Sequence, residues 1–454
     1  MLLGRALELE ELNRYYDREG SQTVIVYGEK NTGKTSLINE FVKDKSFYYY
    51  KARSASEREQ RYQWGKELDQ DTDHHFSYPT YTEIFQALPC DNTVKKVIII
   101  DEFQYIVKAS NVFMRELAEY MHSSLKNSDV LIILCSSSIA WVENSMIPMI
   151  KAEDYEVSGC LSIKELAFEY MADYFPGFKI GKILEAYAVL GGFPGLWIYF
   201  DDKLSVKENI CKNVLDKAGA LHEEGLHIVE AELRETGIYN TILASIAAGN
   251  HKLNDLYLHT GFSRAKISVY LKNLIELQLV TKITSYDTEG KENVKKGFYN
   301  IKNNIVNFYF TFIYPHLSRF ESMHAQDFYN DFVGPYFKTY VSEYFKRICV
   351  QCMKQWNKSG RLPIKAVDFE EWTGKSVSID FLLRGENGES IIGLCNFEKT
   401  VMCYEDYKKL FLDAEKAGIH VDYVYLFSAS RFDEKLNLEA KIKRNLKLIT
   451  MEEM

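Results

Sequence analysis

The eight residues Gly28-Glu29-Lys30-Asn31-Thr32-Gly33-Lys34-Thr35 constrain this chain more than any other stretch. They fit GxxxxGK[ST], follow the apolar run Thr23–Tyr27 and precede a helix-like segment that opens on Ser36. A strand ending in such a loop and restarting as a helix is the setting in which the pattern holds phosphate. Its glycines let the chain curl until successive amides face one anion, and the helix N-terminus adds positive potential. Gly28 through Ser36 are therefore the expected phosphate contacts. Lys34 would reach the β- and γ-phosphates of ATP, and the Thr35 hydroxyl would sit on Mg2+.

Such a loop belongs at the edge of a parallel sheet, and the surrounding sequence agrees. Residues 1–160 alternate short apolar runs with amphipathic segments. The runs at Thr23–Tyr27, Phe47–Lys51, Val97–Asp101, Val130–Cys135 and Tyr155–Val157 read as strands, most of them buried on both faces. The third ends in Asp101-Glu102, at the strand edge where α/β proteins bind ligands. Asp101 would hold the Mg2+ shell, and Glu102 would orient and polarise the attacking water. The fourth ends in Ser136-Ser137-Ser138. Ser136 would contact the γ-phosphate or the water, or cap a following helix, and the two roles can coexist.

Beyond residue 160 the pattern changes. Ser162–Tyr174 and Leu184–Leu190 have helical spacing, and Gly191-Gly192-Phe193-Pro194-Gly195 breaks the chain between helices. Residues 236–300 read as a compact helical unit followed by a hairpin. Residues 301–331 connect it to a second α/β unit over 332–454, with strands at Val377–Leu383, Ser390–Asn396 and Tyr423–Phe427 and a helix near Tyr404–Ala417. The net charge of −9 argues against a uniformly basic nucleic-acid binder. Eight cysteines, of which Cys349 and Cys352 stand in a helical stretch with no matching second pair, suit reduced thiols in a cytoplasmic protein. No 18-residue apolar run is present, so no membrane partner is expected.

Together these residues resemble the prokaryotic "archaeal ATPase" family, a branch of the AAA-like STAND P-loop ATPases. The resemblance is carried by GRALELEEL at Gly4–Leu12, the phosphate loop, IIIDEFQ at Ile98–Gln104, the serine run, GGFPGLW at Gly191–Trp197 and YLKNLIELQLV at Tyr270–Val280. It implies an α/β fold: a P-loop AAA-like ATPase core (1–160), a helical lid (161–235), a winged helix (236–300), a connecting segment (301–331) and a restriction-endonuclease-like α/β domain (332–454). One departure concerns an arginine usual after the serine run. Here Ile147-Pro148-Met149-Ile150-Lys151 stands in that place. Lys151 keeps the charge and loses the planar fork.

Within the winged helix, Lys252–Thr260 and Arg264–Leu277 read as helices around the turn Gly261–Ser263, with Ser263 as N-cap. Lys282–Tyr299 reads as the wing, with Lys291, Lys295 and Lys296 around Gly290. Residues 250–300 hold eight Lys/Arg against five Asp/Glu. Arg264, Lys266 and Lys272 are the candidate contacts to double-stranded DNA, and a protein partner fits the same module.

The resemblance also implies a nuclease site made of an Asp followed by Glu-x-Lys on the next strand. Asp380 survives, but Leu394 and Asn396 stand at the Glu and Lys positions, and Lys346 replaces a helix glutamate. Glu343 is nearby but on a different helical face, and Glu398 is expected on the same strand face as Asn396. The domain is therefore expected to bind without cutting. The overall expectation is a Mg2+-dependent ATPase that couples its nucleotide state to a DNA or protein partner. The alternatives are a non-hydrolysing ATP-bound scaffold and an ATP-driven nuclease.

Overall fold

A computed structural model describes the chain except residues 1, 72–75, 89–93, 111, 124, 126–128, 232, 287–294 and 371–378. It divides into two compact units. The first comprises residues 1–170 together with 192–195; the second comprises 171–191 and 196–454.

The first unit is built on a five-stranded parallel sheet of β1 (Gln22–Tyr27), β2 (Ser46–Lys51), β3 (Lys96–Asp101), β4 (Val130–Ser136) and β5 (Gly159–Ser162). Its spatial order is β2-β3-β4-β1-β5. The apolar runs behave as doubly buried strands. Ile25, Ile98, Ile100, Ile132 and Leu134 enter the core on one face, and Val24, Val26, Val97, Ile99, Leu131 and Ile133 the core on the other. Each fully buried aliphatic side chain contributes about 1.5–3 kcal/mol of transfer free energy, which is what holds the strand ends in register.

One strand lies elsewhere than the sequence suggested. Tyr155–Val157 is irregular, and the fifth strand is Gly159–Ser162. Tyr155 and Val157 pack as partly buried side chains against the core, which explains their apolar character. Gly159 pairs with Val24 of β1, and only glycine fits there because a Cβ would lie 2.0 Å from the Tyr15 hydroxyl oxygen. The helix expected from Ser162 begins only at Phe168.

The second unit opens with helices, including Ile180–Leu190, and then a three-helix group at Thr236–Ala247, Leu253–Thr260 and Arg264–Glu276. Antiparallel β6 (Val280–Tyr286) and β7 (Lys295–Ile301) follow. Gly290 and Lys291 lie outside the described residues. Ser263 caps its helix as expected, its Oγ accepting from the Lys266 amide at 3.2 Å. Ile267, Leu271 and Leu274 form the buried stripe.

A 25-residue helix, Gly334–Lys358, leads into a mixed sheet. This contains β8 (Ala366–Glu370), β9 (Phe381–Gly385) and β10 (Ser390–Asn396), followed after the two-residue β11 (Val401–Met402) by β12 (Tyr423–Ser428). The short β13 (Arg431–Phe432) pairs with β11, and β14 (Leu446–Thr450) completes the larger sheet in the order β14-β12-β10-β9-β8. β10, β12 and β14 are mutually parallel, whereas β9 runs antiparallel to both its neighbours, β10 and β8. The strand read as Val377–Leu383 begins at Phe381, and Val377 and Ser378 lie outside the described residues. Among the described residues no helix is long and apolar enough to cross a membrane.

Candidate nucleotide site

The loop Gly28–Gly33 joins the end of β1 to the helix Lys34–Val42. Asn31 and Gly33 take left-handed backbone conformations, with φ of 64° and 91°. Gly33 does so at no steric cost, and a short polar Asn tolerates it. The helix therefore begins immediately after a sharp reversal, and its first amides, which no helix can pair internally, lie next to the loop.

Gly28 is required for a different reason. A Cβ at this position would lie 2.2 Å from the Ile163 carbonyl oxygen. Gly28→Ala is expected to destabilise the fold by about 1–3 kcal/mol, as overpacking does. Gly181→Ala, where an added Cβ meets nothing within 4 Å, should be neutral or stabilising. Thermal unfolding of the two variants checks the contrast.

Lys34 is only 9% exposed. Its ammonium donates to the carbonyls of Gly28 and Glu29, both at 2.8 Å. Burial pushes its pKa below the usual lysine range, opposed by Glu102, Cys135, Asp101 and Glu29. A buried cation held by its own loop's carbonyls is a cation waiting for a stronger acceptor. A phosphate oxygen is one, because it brings a full opposite charge where a carbonyl brings only a dipole. Thr35 and Ser36 are exposed in the first turn of the helix, Lys30 is exposed, and Thr32 is buried with its Oγ1 donating to the Glu29 carbonyl at 2.8 Å.

The acids lie two strands from β1, with β4 between. The Asp101 carboxylate accepts from the Glu102 amide at 3.0 Å and from the Tyr49 hydroxyl at 2.7 Å. Burial, then Asp101 itself, raises the Tyr49 pKa, so the phenol stays a donor. Glu102 has φ of 55°, a conformation that costs a non-glycine residue about 1–3 kcal/mol and clusters at functional sites. Its Oε2 is held by the Ser137 hydroxyl at 2.6 Å, the Ser137 amide at 3.4 Å and the Gln104 amide nitrogen. Three donors on one oxygen fix the carboxylate's direction.

Ser136 is placed differently from the expectation of a phosphate or water contact. It is fully buried, its Oγ accepts from the Ser138 amide at 3.1 Å, and its carbonyl accepts from the Gly28 amide at 3.2 Å. Its neighbour Ser137 is the serine that reaches Glu102. Lys151 lies on the exposed end of the helix Ile147–Ala152.

Four residues at this site escaped the motif reading. Tyr49 and Ser137 hold the acids, and Gln104 links Ser137 to Glu102, donating to the Ser137 Oγ at 3.3 Å. The fourth, Arg5, is 4% exposed. It donates to the Thr32 carbonyl at 2.9 Å and to the Lys164 carbonyl, tying the loop to the chain beyond β5. Gln104 and Arg5 sat inside motifs already singled out, but nothing in their spacing indicated these partners.

The Gly192–Gly195 turn also belongs to this site. The Gly195 amide donates to the Asn31 carbonyl at 2.9 Å, and an added Cβ on Gly195 would lie 2.9 Å from Asn31 Cα. The chain leaves the first unit after Tyr170, returns for these four residues beside the phosphate loop, and leaves again.

The other candidate residues lie in the second unit. Arg264 stacks its guanidinium 4.1 Å from the Tyr257 ring centroid and donates to Asn254. The Lys266 ammonium lies 4.4 Å from the Phe262 centroid, and Lys272 pairs with Glu276 at 3.8 Å. Asp380 precedes β9, and its Oδ2 accepts from the Cys395 amide at 2.7 Å. Lys346, not a metal-binding acid, stands beside it. Leu394 and Asn396 offer neither the Glu nor the Lys of a nuclease, and Asn396 instead donates to the Lys399 carbonyl at 3.1 Å. Glu398 lies beyond the end of β10, not on its face as expected, because the strand stops at Asn396. As they stand, these residues do not fit a divalent metal.

Residues 2–199 match a family described as an ATPase domain predominantly from Archaea. Residues 309–408 match a second family, described as archaeal and bacterial proteins of unknown function. An uncharacterised protein of Methanocaldococcus jannaschii, MJECL04, is 26% identical over 410 residues, spanning 86% of each chain. Among solved structures, the Walker-type ATPase PABY2304 of Pyrococcus abyssi is 17% identical with a TM-score of 0.47, over 68% of this chain and 96% of that one. The ORC2 protein of Aeropyrum pernix, in its ADPNP–ADP complexes, is 14% identical with a TM-score of 0.47, over 68% of this chain and 92% of that one.

Proposed function

With residues 2–199 an archaeal-type P-loop ATPase domain, we propose that this chain binds Mg·ATP at Gly28–Ser36, hydrolyses it with Glu102, and uses the nucleotide state to control a partner held by its C-terminal half. The observation that carries the reading is the buried Lys34 ammonium, bonded only to loop carbonyls among the described residues, in one sheet edge with Asp101 and Glu102. The loop amides and Lys34 would hold the phosphates, and Thr35 with Asp101 would hold Mg2+. The metal would neutralise charge on the phosphates. Glu102, with one oxygen saturated by protein donors, keeps the other for a water.

Coupling is supported by the Gly192–Gly195 turn. A ligand that shifts Asn31 shifts the carbonyl bonded to the Gly195 amide. Chain on both sides of that turn belongs to the second unit. ATP can change a downstream arrangement only by its difference in affinity for two states, and a hydrogen bond between loop and turn is a contact that can differ.

We read residues 236–300 as a winged helix that contacts the phosphates of duplex DNA. Arg264 and Lys266 lie at the N-terminal end of its second long helix. Replacing both by alanine should weaken duplex binding about uniformly across sequences and reduce the salt slope by about two. A titration of the wild type and the double variant at several salt concentrations checks this. No duplex binding by the wild type at low salt would make the module a protein-binding one. The sheet of 366–450 is read as a nuclease-like domain that binds without cutting.

A further inference from the structure

The Lys346 ammonium lies between two acids. It is 3.2 Å from Glu343 Oε1, one turn earlier on the same helix, and 3.4 Å from Asp380 Oδ1, at the entrance to β9. Two polar cavities, of about 280 and 240 Å³, are both lined by Lys346 and Asp380. The Asp380 side chain is 15% exposed, and the Cys395 amide fixes its other oxygen. A cation here is therefore bound to carboxylates within water-accessible space.

We propose that this pocket is a two-carboxylate cation site in which the Lys346 side chain serves as the resident cation, so that the protein's own ammonium replaces a divalent metal. Two carboxylates completed by water are a sufficient protein contribution for Mg2+ or Mn2+, which keep several waters in their shells. The ammonium is a compact point charge of the right sign. It is tethered, so it competes with any free ion without loss of translational freedom.

Distance and reach both support the exchange. Metal–oxygen bonds of about 2.1 Å would need each carboxylate to move roughly 1 Å inward from its present distance to nitrogen. Glu343 can do so, because its side chain is 63% exposed. Asp380 is anchored and would define the site. The proposal stands on this geometry alone and does not need the nucleotide or nuclease readings.

The test is Mn2+ binding to the full-length, nucleotide-free chain, counted by electron paramagnetic resonance. Lys346→Ala and Lys346→Met should each gain about one bound Mn2+ per chain over the wild type. Lys346→Met keeps the length of the apolar stem should the alanine variant fold poorly. Adding Asp380→Asn to either should remove the gained ion. Any ion held elsewhere on the chain is common to all variants and cancels. No gain in a folded Lys346 variant would overturn the proposal, as would a gain that survives Asp380→Asn. A third measurement needs no Lys346 variant: the wild type and Asp380→Asn should bind equal amounts of Mn2+. An Asp380-dependent ion in the wild type would show that the lysine does not fill the site.

Discussion

Replacing Lys34 by alanine is expected to weaken ATP binding by about 100-fold or more while leaving the chain folded. Hydrogen bonds to charged groups contribute about 1.5–3 kcal/mol each, and a side chain that reaches two phosphates supplies two, or about 3 kcal/mol and more, where about 2.8 kcal/mol is 100-fold. The loop itself should persist. Its curvature comes from the left-handed Asn31 and Gly33, from Arg5 on the Thr32 carbonyl, and from the Gly195 amide on Asn31. Removing the ammonium leaves the Gly28 and Glu29 carbonyls short of one donor each, a cost that water entering the vacated space would offset. Equilibrium binding of a fluorescent ATP analogue, with circular dichroism as the folding control, measures both halves. Unchanged affinity in the variant would place the nucleotide somewhere other than this loop.

Glu102→Gln separates binding from hydrolysis. The amide keeps the size of the side chain and removes the charge that would polarise a water, so phosphate release should fall by about 10²–10⁴-fold, the usual worth of a positioned general base. ATP affinity should stay within a few-fold of the wild type, because Lys34 and the loop amides are untouched. The substitution also perturbs the cluster around Oε2. A glutamine that presents its carbonyl oxygen there still accepts from Ser137 and Gln104, so orientation survives while basicity is lost. Equal phosphate release by wild type and variant would remove the hydrolysis reading and leave an ATP-bound scaffold.

Much of the first unit was legible beforehand because its signals are local. A strand buried on both faces must be continuously apolar, and Val97–Ile100 and Val130–Cys135 are. A loop that wraps phosphate needs glycine and lysine at set spacing, and Gly28, Gly33 and Lys34 have it. The N-cap Ser263 and the stripe Ile267, Leu271 and Leu274 were equally readable, since both follow from helix geometry.

What failed was what depends on distant chain. β5 was misplaced by a few residues because Gly-Cys-Leu-Ser carries no strand signal. It becomes a strand only because β1 offers it a free edge and Tyr15 leaves room for nothing larger than Gly159. Glu398 was put on a strand that ends two residues earlier. The partners of Glu102 were out of reach for the same reason. Ser136, Ser137 and Ser138 are indistinguishable by type, and the one facing the acid is decided by how β4 lies against β3.

By itself the sequence determined the phosphate-loop pattern, the parallel sheet that carries it, and the apolar and amide side chains of Leu394 and Asn396 where the proposed nuclease-like reading would need Glu and Lys, because residue type and short spacing suffice for each. Only the tertiary structure decided that Tyr49 grips Asp101, that Gly195 rests on Asn31, and that Lys346 lies between Glu343 and Asp380. Those pairings join residues far apart in the chain, except Glu343 with Lys346. Their free energy comes from strands and helices already held in register by buried apolar side chains, a cooperative effect that no local stretch encodes.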